Sequence, residues 1–292
     1  MRIAVFCRTI SPVFFSSLKR LFTILHLHHV EVIVYDPFLD YMKQEIGLEQ
    51  NTNLTFSSHK ELREIDFFFS IGGDGAFLEA VSLVRDSGIP MLGINSGRLG
   101  FLADVAQTEL ESALEKLFAG SFLLQPRSLI KLENEIGLFD DFPYALNEFT
   151  VHKQDTSQMI TVHVEVGKYF LNSYWADGLI VSTPTGSTAY SLSVGGPIIT
   201  PEAANFIIAP IAPHNLAVRP IVIPDNEEIG LRVEGRGERY MATLDSRSSA
   251  FGANAILKLS KASFGINVLQ FDYQSFYDTL RNKLLWGADK RN

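Results

Sequence analysis

The sequence has little of what marks disulfide-bonded or nucleic-acid-binding proteins. Cys7 is the single cysteine among 292 residues, which excludes an internal disulfide, and its place in a predicted strand favours a buried structural role. The formal net charge is −8, so we expect no nucleic-acid partner. A polyanionic ligand would therefore have to be held by backbone N–H groups, a metal ion and a few local cations.

Long hydrophobic runs are also missing. A membrane-spanning helix needs roughly 18 or more consecutive apolar residues, and the longest candidate, around Phe206–Ile211, is broken by Pro210 and Pro213. The N-terminus does not resemble a secretory signal, because Arg8 interrupts a short apolar run. These absences predict a cytoplasmic protein with no membrane partner.

Several widespread catalytic motifs are absent as well. The phosphate loop G-x-x-x-x-G-K-[ST] and the dinucleotide fingerprint G-x-G-x-x-G do not occur, so a redox Rossmann enzyme is poorly supported. No nucleophile elbow or Ser-His-Asp order stands out. His26, His28 and His29 lie late in a predicted helix without convincing ligand spacing, and we assign no residue as a metal ligand.

The first part of the chain alternates strands and helices. Ser11-Pro12 predicts the start of a helix that runs to about His28, Thr108–Glu111 fits a capping box, and Gly120 fits a helix end. The strands are predicted at Ile3–Phe6, Val32–Tyr35, Phe67–Ile71 and Met91–Ile94. This rhythm predicts an α/β domain with a parallel, Rossmann-like sheet, in which ligands bind beyond the carboxyl ends of the strands.

The pattern changes near Gln125. Short β-rich runs separated by turns, such as the hairpin turn Gly167-Lys168, continue to about Asp272 and predict an all-β, sandwich-like domain. The runs are Ser128–Leu132, Thr161–Val166, Tyr169–Tyr174, Gly178–Ser182, Ile221–Ile223, Ile229–Val233, Arg239–Leu244 and Ala255–Leu259. A last helix, about Tyr273–Leu285, is expected to pack back on the first domain. We therefore predict one domain of residues 1–124 with 273–292, and a second of residues 125–272.

The segment Ile71–Gly75 is the most informative single feature. It places Gly72, Gly73 and Gly75 at a strand-to-helix turn, where the backbone can approach a ligand closely and free N–H groups favour anions. Asp74 has the wrong charge to grip a phosphate, so it is better interpreted as a base or a metal partner. The alternative is a tight turn in which Asp74 caps the helix.

Small hydroxyl residues are dense in a second segment, Asp177–Pro197, which also carries Tyr190. Hydroxyls and free backbone N–H groups suit ribose and phosphate, and Tyr190 could stack on a base. The alternative is a Ser/Thr-rich connection with local capping bonds.

Two more segments carry polar side chains. Asn147 offers a donor and an acceptor that suit an adenine edge, and Glu148 could accept a hydrogen bond from a ribose hydroxyl, although both could be structural. Asn95–Leu102 follows the fourth strand and is expected to lie beside the glycine turn. There, Arg98 would either meet phosphate or lie solvated at the surface.

Together these segments resemble the NAD kinase family, which phosphorylates NAD to NADP. The glycine turn, Asn95–Phe101, Asn147-Glu148 and Asp177–Pro197 match in order, and the resemblance covers roughly residues 1 to 285. Pro213–Pro220 and Leu244–Ser246 fit as well. Asp177–Pro197 is highly specific to the family, whereas diacylglycerol and sphingosine kinases and, more loosely, 6-phosphofructokinases share the glycine turn.

The resemblance implies roles for particular residues. Asp74 matches the proposed general base, and the backbone of the glycine turn would hold the phosphates of the donor. The nucleotide-binding positions implied are Gly72, Gly73, Gly75, Phe101, Asn147, Glu148, Asp177, Thr188, Ala189, Tyr190, Ser191, Leu192, Ser193, Ala212 and Arg247. Gln158 and Trp175 stand where other members have basic or polar residues.

The implied reaction uses ATP with Mg²⁺ as the donor and the 2′-hydroxyl of the adenosine ribose of NAD as the acceptor, in a homodimer or homotetramer. The donor could also be polyphosphate, and the acceptor NADH. A related lipid or sugar kinase is a first alternative, against which the polar run Ser182–Ser193 argues. A non-catalytic dinucleotide-binding regulator is a second, and the presence of Asp74 favours an enzyme over it.

Overall fold

The computed structural model describes residues 1–47, 54–97, 100–154, 159–237, 239–253, 255–272 and 275–285. Contacts divide the chain into two compact units. Unit 1 comprises Met1–Pro126 and Ile266–Asn292, and unit 2 comprises Arg127–Gly265.

Unit 1 contains a parallel sheet of short, apolar strands. They are β1 (Arg2–Phe6), β2 (Glu31–Tyr35), β3 (Thr55–Phe56), β4 (Phe67–Gly72) and β5 (Met91–Asn95). The order is β5-β4-β1-β2-β3, and every one of these pairings is parallel. Nearly all residues of β1, β4 and β5 are buried, as expected of parallel strands covered on both faces. The predicted α/β domain is confirmed.

Helices α1 (Phe15–Leu27), α2 (Asp36–Tyr41), α3 (Asp74–Val84) and α4 (Leu110–Phe118) follow the strands of unit 1. A single 3-10 turn precedes α1, so the predicted start is right to within one turn, but Ser11 makes no side-chain cap bond. The predicted capping box at Thr108–Glu111 is wrong, because Glu109 instead accepts the N–H of Ala106 at 3.3 Å and α4 begins at Leu110. Gly120, at φ +69°, ends this helix as predicted.

Unit 2 is built of antiparallel strands. The strands are β6 (Leu123–Asn134), β7 (Tyr144–Ala145), β8 (Glu148–Lys153), β9 (Ile160–Val166), β10 (Tyr169–Ala176), β11 (Gly178–Ser182), β12 (Asn205–Ile211), β13 (Ile221–Pro224), β14 (Ile229–Gly235), β15 (Arg239–Leu244), β16 (Arg247–Gly252) and β17 (Ile256–Gln270). One sheet has the order β13-β12-β11-β8-β15-β16, and β10-β9-β14-β17 run side by side in another. The last residues of β17 belong to unit 1, where Val268 pairs with Met91.

A continuous apolar cluster joins the strands of unit 2. Phe149 and Val181 from the first sheet and Val162, Val164 and Leu231 from the second all belong to it. The predicted all-β, sandwich-like fold is thus confirmed. β12 is a strand that the sequence analysis treated only as an apolar run.

Two further short helices lie among or after the strands of unit 2 in the sequence. The four-residue α5 (Tyr190–Ser193) lies in unit 2, and α6 (Phe276–Leu284) lies in unit 1, where the ring of Phe276 is 6.2 Å from that of Phe101. The expected return of the last helix to the first domain is confirmed; Tyr273, its predicted first residue, lies outside the described residues. No helix in the described ranges is long and apolar enough to cross a membrane.

Replacing Phe149 by alanine should lower the free energy of unfolding by about 3–5 kcal/mol, because a fully buried ring leaves a cavity in the apolar cluster of unit 2. Urea unfolding monitored by circular dichroism would measure the change. Phe170, which is 63% exposed in the same unit, provides the matched control, and Phe170→Ala should change stability by no more than about 0.5 kcal/mol. Equal losses in the two variants would contradict the assigned core.

Candidate functional site

The glycine turn forms the start of α3. β4 ends at Gly72, Gly73 is the N-cap residue, and the helix begins at Asp74. The first backbone N–H groups of a helix have no partner within the helix. Gly73 and Gly75 are exposed, with nothing within 4 Å of where a Cβ would lie. An anion can therefore reach these N–H groups, as the sequence analysis expected.

The carboxylate of Asp74 is held by the backbone of a neighbouring loop. Its Oδ2 accepts the N–H of Phe101 at 2.9 Å, and its Oδ1 accepts those of Leu102 at 2.9 Å and Ala103 at 3.0 Å. Gly73 is the N-cap residue of α3 and Asp74 is the first residue of the helix. Asp74 is therefore not the N-cap residue, and its carboxylate fixes the loop that follows β5.

The loop is shaped to approach this carboxylate closely. A Cβ on Gly100 would lie 1.9 Å from Oδ1 of Asp74, so a larger residue cannot occupy that position unless the carboxylate moves. Asn95 braces the loop from within, since its amide donates to Ala103 O at 3.2 Å and accepts from the Gly97 N–H at 2.8 Å. The stretch predicted to lie beside the glycine turn does so. Arg98, its predicted phosphate contact, lies outside the described residues.

Unit 2 also contains an aspartate, Asp245, whose carboxylate accepts three backbone N–H groups. Asp245 accepts the N–H groups of Leu146 at 2.8 Å, Asn147 at 2.8 Å and Glu148 at 3.2 Å. Its backbone has a positive φ of 52°, in the hairpin between β15 and β16. Asp245 thereby fixes the backbone of Asn147 and Glu148 at the start of β8. The sequence analysis noted the Leu244–Ser246 run but assigned Asp245 no role.

Glu148 is a half-buried acid whose pKa is shifted from its ordinary value. Burial, and secondly the negative charge of Asp245, raise its pKa to about 8, while a hydrogen bond from the Tyr190 backbone acts in the opposite direction. Its Oε2 has no hydrogen-bond partner in the described part of the chain. The carboxyl group is therefore mostly protonated at neutral pH, when it can donate as well as accept a hydrogen bond.

The Ser/Thr-rich segment packs directly on Asn147. The Ser182 hydroxyl donates to Asn147 O at 3.2 Å, and the Thr183 hydroxyl donates to Leu146 O at 2.6 Å. A Cβ on Gly186 would lie 2.2 Å from Asn147 O, so this close approach requires glycine. These bonds join residues about 35 positions apart in the chain and are not the local capping bonds of the alternative, although Thr183 also accepts the nearby N–H of Gly186 at 3.1 Å.

Other hydroxyls of this segment also bond to backbone carbonyls. Thr188 donates to Thr185 O at 3.3 Å, and Ser187 donates to Ile199 O, just beyond the segment, at 3.1 Å. Ser191, in α5, differs from them, because its buried hydroxyl has no partner among the residues that the structure describes. The predicted binding stretch from Thr188 to Ser193 spans the end of a 3-10 turn and α5.

Asp177 lies next to two residues that the sequence analysis missed. Lys153 forms an ion pair with it at 2.5 Å, and the imidazole of His152 stacks on the ring of Tyr190 with the centroids 5.8 Å apart. Burial lowers the pKa of His152, and the charge of Asp177 opposes that shift. Glu148 and His152 are four residues apart in β8, so the alternation of the strand places them on the same face. That spacing is the sequence signal for His152, which the pairing of β8 with β11 sets opposite Gly178.

The remaining predicted positions lie at the edges of this cluster. Ala212 has a positive φ of 45° and follows Ile211, whose carbonyl accepts the N–H of Asp177 at 3.0 Å. Arg247 donates to the carbonyls of Phe142 and Tyr144. Trp175 is exposed, with its ring 5.2 Å from that of His214. Gln158 lies outside the described residues.

The residues do not offer an evident metal cage. Within the described ranges, no group of three or more His, Cys, Asp or Glu side chains could hold a metal ion. Both oxygens of Asp74 already accept backbone N–H groups.

Solved structures share this fold. A yeast NADH kinase complexed with NADH superposes with a TM-score of 0.87 at 21% identity, over 99% of this chain and 89% of the other. An NAD kinase from Archaeoglobus fulgidus in complex with ATP gives a TM-score of 0.75 at 26% identity, over 98% and 99% of the two chains.

Sequence relatives extend the likeness over the full length. The chain is 47% identical to an NAD kinase of Flavobacterium psychrophilum and 42% identical to one of Bacteroides fragilis, each over 100% of both chains. Residues 3–122 match the model of the ATP-NAD kinase N-terminal domain, and residues 146–268 match that of the C-terminal domain. With both domains matched and full-length relatives of this identity, the chain belongs to the NAD kinase family.

Proposed function

We propose that this protein transfers the terminal phosphoryl group of ATP to the 2′-hydroxyl of the adenosine ribose of NAD, giving NADP. The observation that carries the proposal is the Asp74 carboxylate, fixed at the start of a helix where Gly73 and Gly75 are exposed. Family membership identifies the acceptor as NAD, and an NAD kinase from Archaeoglobus fulgidus has been crystallised with ATP.

The donor would enter as the magnesium complex of ATP. The backbone N–H groups of Gly72, Gly73 and Gly75 are proposed to face its phosphates, where the positive end of the α3 dipole also favours negative charge. Mg²⁺ is treated as part of this substrate, because the described residues form no metal cage. Phosphoryl transfer depends mainly on alignment and charge neutralisation, which backbone donors and the ion would supply.

Asp74 is the proposed general base. An alcohol is a weak nucleophile while it is protonated, so a carboxylate within hydrogen-bond reach would orient the 2′-hydroxyl and take its proton as the new O–P bond forms. The three backbone bonds to Asp74 support this role, since they hold the carboxylate in one orientation. The ring of Phe101, whose N–H donates to the same carboxylate, is proposed as a further nucleotide contact.

NAD is proposed to contact the cluster in unit 2. Its members are Asn147, Glu148, Asp177, Thr188, Ala189, Tyr190, Ser191, Leu192, Ser193, Ala212 and Arg247. Asp245 supports the proposal by fixing the backbone of Asn147 and Glu148, and Glu148 Oε2 and the Ser191 hydroxyl are buried polar atoms without a hydrogen-bond partner among the described residues. Since Arg247 already bonds to two carbonyls, its proposed contribution is to hold the hairpin that carries Asp245.

Some predictions go beyond these contacts. We propose functional domains of residues 1–124 with 273–292 and of residues 125–272, which the two compact units support at the first boundary to within a few residues. By contacts, the stretch 266–272 lies with unit 1.

Several properties stay predictions: a homodimer or homotetramer, a cytoplasmic location, and the choice between NAD and NADH or between ATP and polyphosphate. A lipid or sugar kinase and a non-catalytic regulator are not favoured, because the full-length relatives are NAD kinases.

Asp74→Asn should lower kcat by at least about 100-fold, because an amide cannot take the proton of the hydroxyl. NAD should still bind. An NADP-forming assay and calorimetric titration with NAD would measure the two effects. Asp86→Asn, the same change at an exposed turn after α3, is the matched control and should leave kcat unchanged.

The amide also has a single acceptor oxygen, so at least one of the three backbone bonds is lost, at a cost of about 1–3 kcal/mol. Circular dichroism must therefore show that Asp74→Asn is folded. Near-wild-type turnover in a folded variant would remove Asp74 from the role of base.

Asp245→Asn should raise the KM for NAD roughly tenfold, the equivalent of about 1.4 kcal/mol of lost binding energy, because the backbone of Asn147 and Glu148 is no longer fully held. The kcat should fall much less, since Asp74 is untouched. Steady-state kinetics would separate the two constants, with the exposed Asp140→Asn as control. An unchanged KM would show that this carboxylate has no part in placing NAD.

The affinity for NAD should depend on pH through Glu148. The pKa of about 8 leaves a protonated carboxyl below that pH, which can donate to an acceptor atom of NAD; above it the proton is lost. The dissociation constant should therefore rise above pH 8, by up to about tenfold per pH unit. Glu148→Gln keeps a neutral donor and should flatten the profile between pH 6 and 9.5. An identical rise in the variant would assign the titration to another group.

A further inference from the structure

Three side chains share one side of the C-terminal helix. Phe276, Leu280 and Lys283 follow each other at spacings of four and three residues, which places them on one side of α6. Leu280 is 3% exposed, and Phe276 packs against Phe101. Lys283 therefore stands on the same side of the helix as the buried Leu280.

Lys283 reaches the proposed base from this face. Its Nζ is 3.5 Å from Oδ2 of Asp74 and 4.4 Å from the centroid of the Phe101 ring. Both charged side chains are only about a third exposed, at 32% and 30%. Arg281 on the same helix behaves differently, because its guanidinium pairs with Asp278 of the same helix at the surface. The contact with Asp74 is therefore specific to Lys283.

The hydrogen bonds of Asp74 show which acceptor directions of its carboxylate are already used. A carboxylate offers about four acceptor directions, two on each oxygen. Leu102 and Ala103 use both directions of Oδ1, and Phe101 uses one of Oδ2. Lys283 is 3.5 Å from Oδ2 as an ion pair rather than as one of these hydrogen bonds. Among the described residues the second direction of Oδ2 is therefore not used by a hydrogen bond, and a hydroxyl that donates to Asp74 would bind there, next to the ammonium group.

We infer that Lys283 is a positioning residue for phosphoryl transfer, which orients Oδ2 of Asp74 towards the acceptor hydroxyl and so makes the C-terminal helix part of the active site. This inference rests on the proposed function. The ammonium group keeps its protons throughout. The hydroxyl proton goes to Asp74, the O–P bond to the ribose forms, and the bond from phosphorus to the ADP oxygen breaks.

Three variants test the inference by steady-state kinetics with NAD and MgATP. Lys283→Met keeps the length of the side chain but removes the charge, and it should lower kcat about 10- to 100-fold through misplacement of the base. The KM for NAD should stay within about twofold of wild type, because the NAD contacts are unchanged. Lys283→Arg retains a cation beside Asp74 and over the Phe101 ring, and should recover most of the loss. Arg281→Met, the matched control on the same helix, should behave as wild type.

A double-mutant cycle provides a second readout that needs no substrate. Urea midpoints of wild type, Lys283→Met, Asp74→Asn and the double variant should be non-additive if the two side chains interact in the free protein. Unchanged kcat in Lys283→Met, equal losses in Lys283→Met and Arg281→Met, failure of Lys283→Arg to recover activity, or additive midpoints would each overturn the inference. A wild-type protein that forms no NADP would instead overturn the proposed function, and the cycle would still report the contact.

Discussion

The candidate functional residues of each unit depend on one interaction, the capture of three successive backbone N–H groups by a single aspartate carboxylate. Asp74 does this with the loop after β5, and Asp245 does it with the start of β8. Each carboxylate satisfies donors that irregular backbone would otherwise leave unpaired, at about 1–3 kcal/mol for each buried group. The same bonds fix the carboxylate, so the backbone and the side chain position each other. Removing either aspartate would therefore loosen both a loop and a functional group.

Close approach makes these captures possible and explains why glycine is needed where it stands. Gly100 admits the Asp74 carboxylate, and Gly186 admits the Asn147 carbonyl, where any Cβ would collide. In the turn at 72–75, Gly73 and Gly75 are exposed at the start of α3. The proposed function assigns phosphate binding to the N–H groups of this turn, whereas the carboxylate of Asp74 is held by a different loop. A carboxylate at an anion-binding turn is then no contradiction.

Much of the fold and part of the site could be predicted from the sequence. The buried strands β1, β4 and β5 were predictable because their apolar runs are short and bounded by turns, and Asp74 was conspicuous because a carboxylate among glycines is unusual. Asp245 was not predictable, since its partners lie about 100 residues earlier in the chain. Lys283 reads as an ordinary surface lysine until the helix is packed. The capping box at Thr108–Glu111 failed for a local reason, because Glu109 bonds to the backbone of Ala106, two residues earlier than the pattern suggested.

The central claim is that this protein phosphorylates the 2′-hydroxyl of NAD with Asp74 as the base. The most direct measurement is the transfer of label from γ-³²P-ATP to NAD by the wild-type protein and by folded Asp74→Asn, with the position of the new phosphate determined by phosphorus NMR. The account predicts 2′-labelled NADP from the wild-type protein and at least about 100-fold slower labelling by the variant. Label on another acceptor, or equal rates from the two proteins, would contradict it.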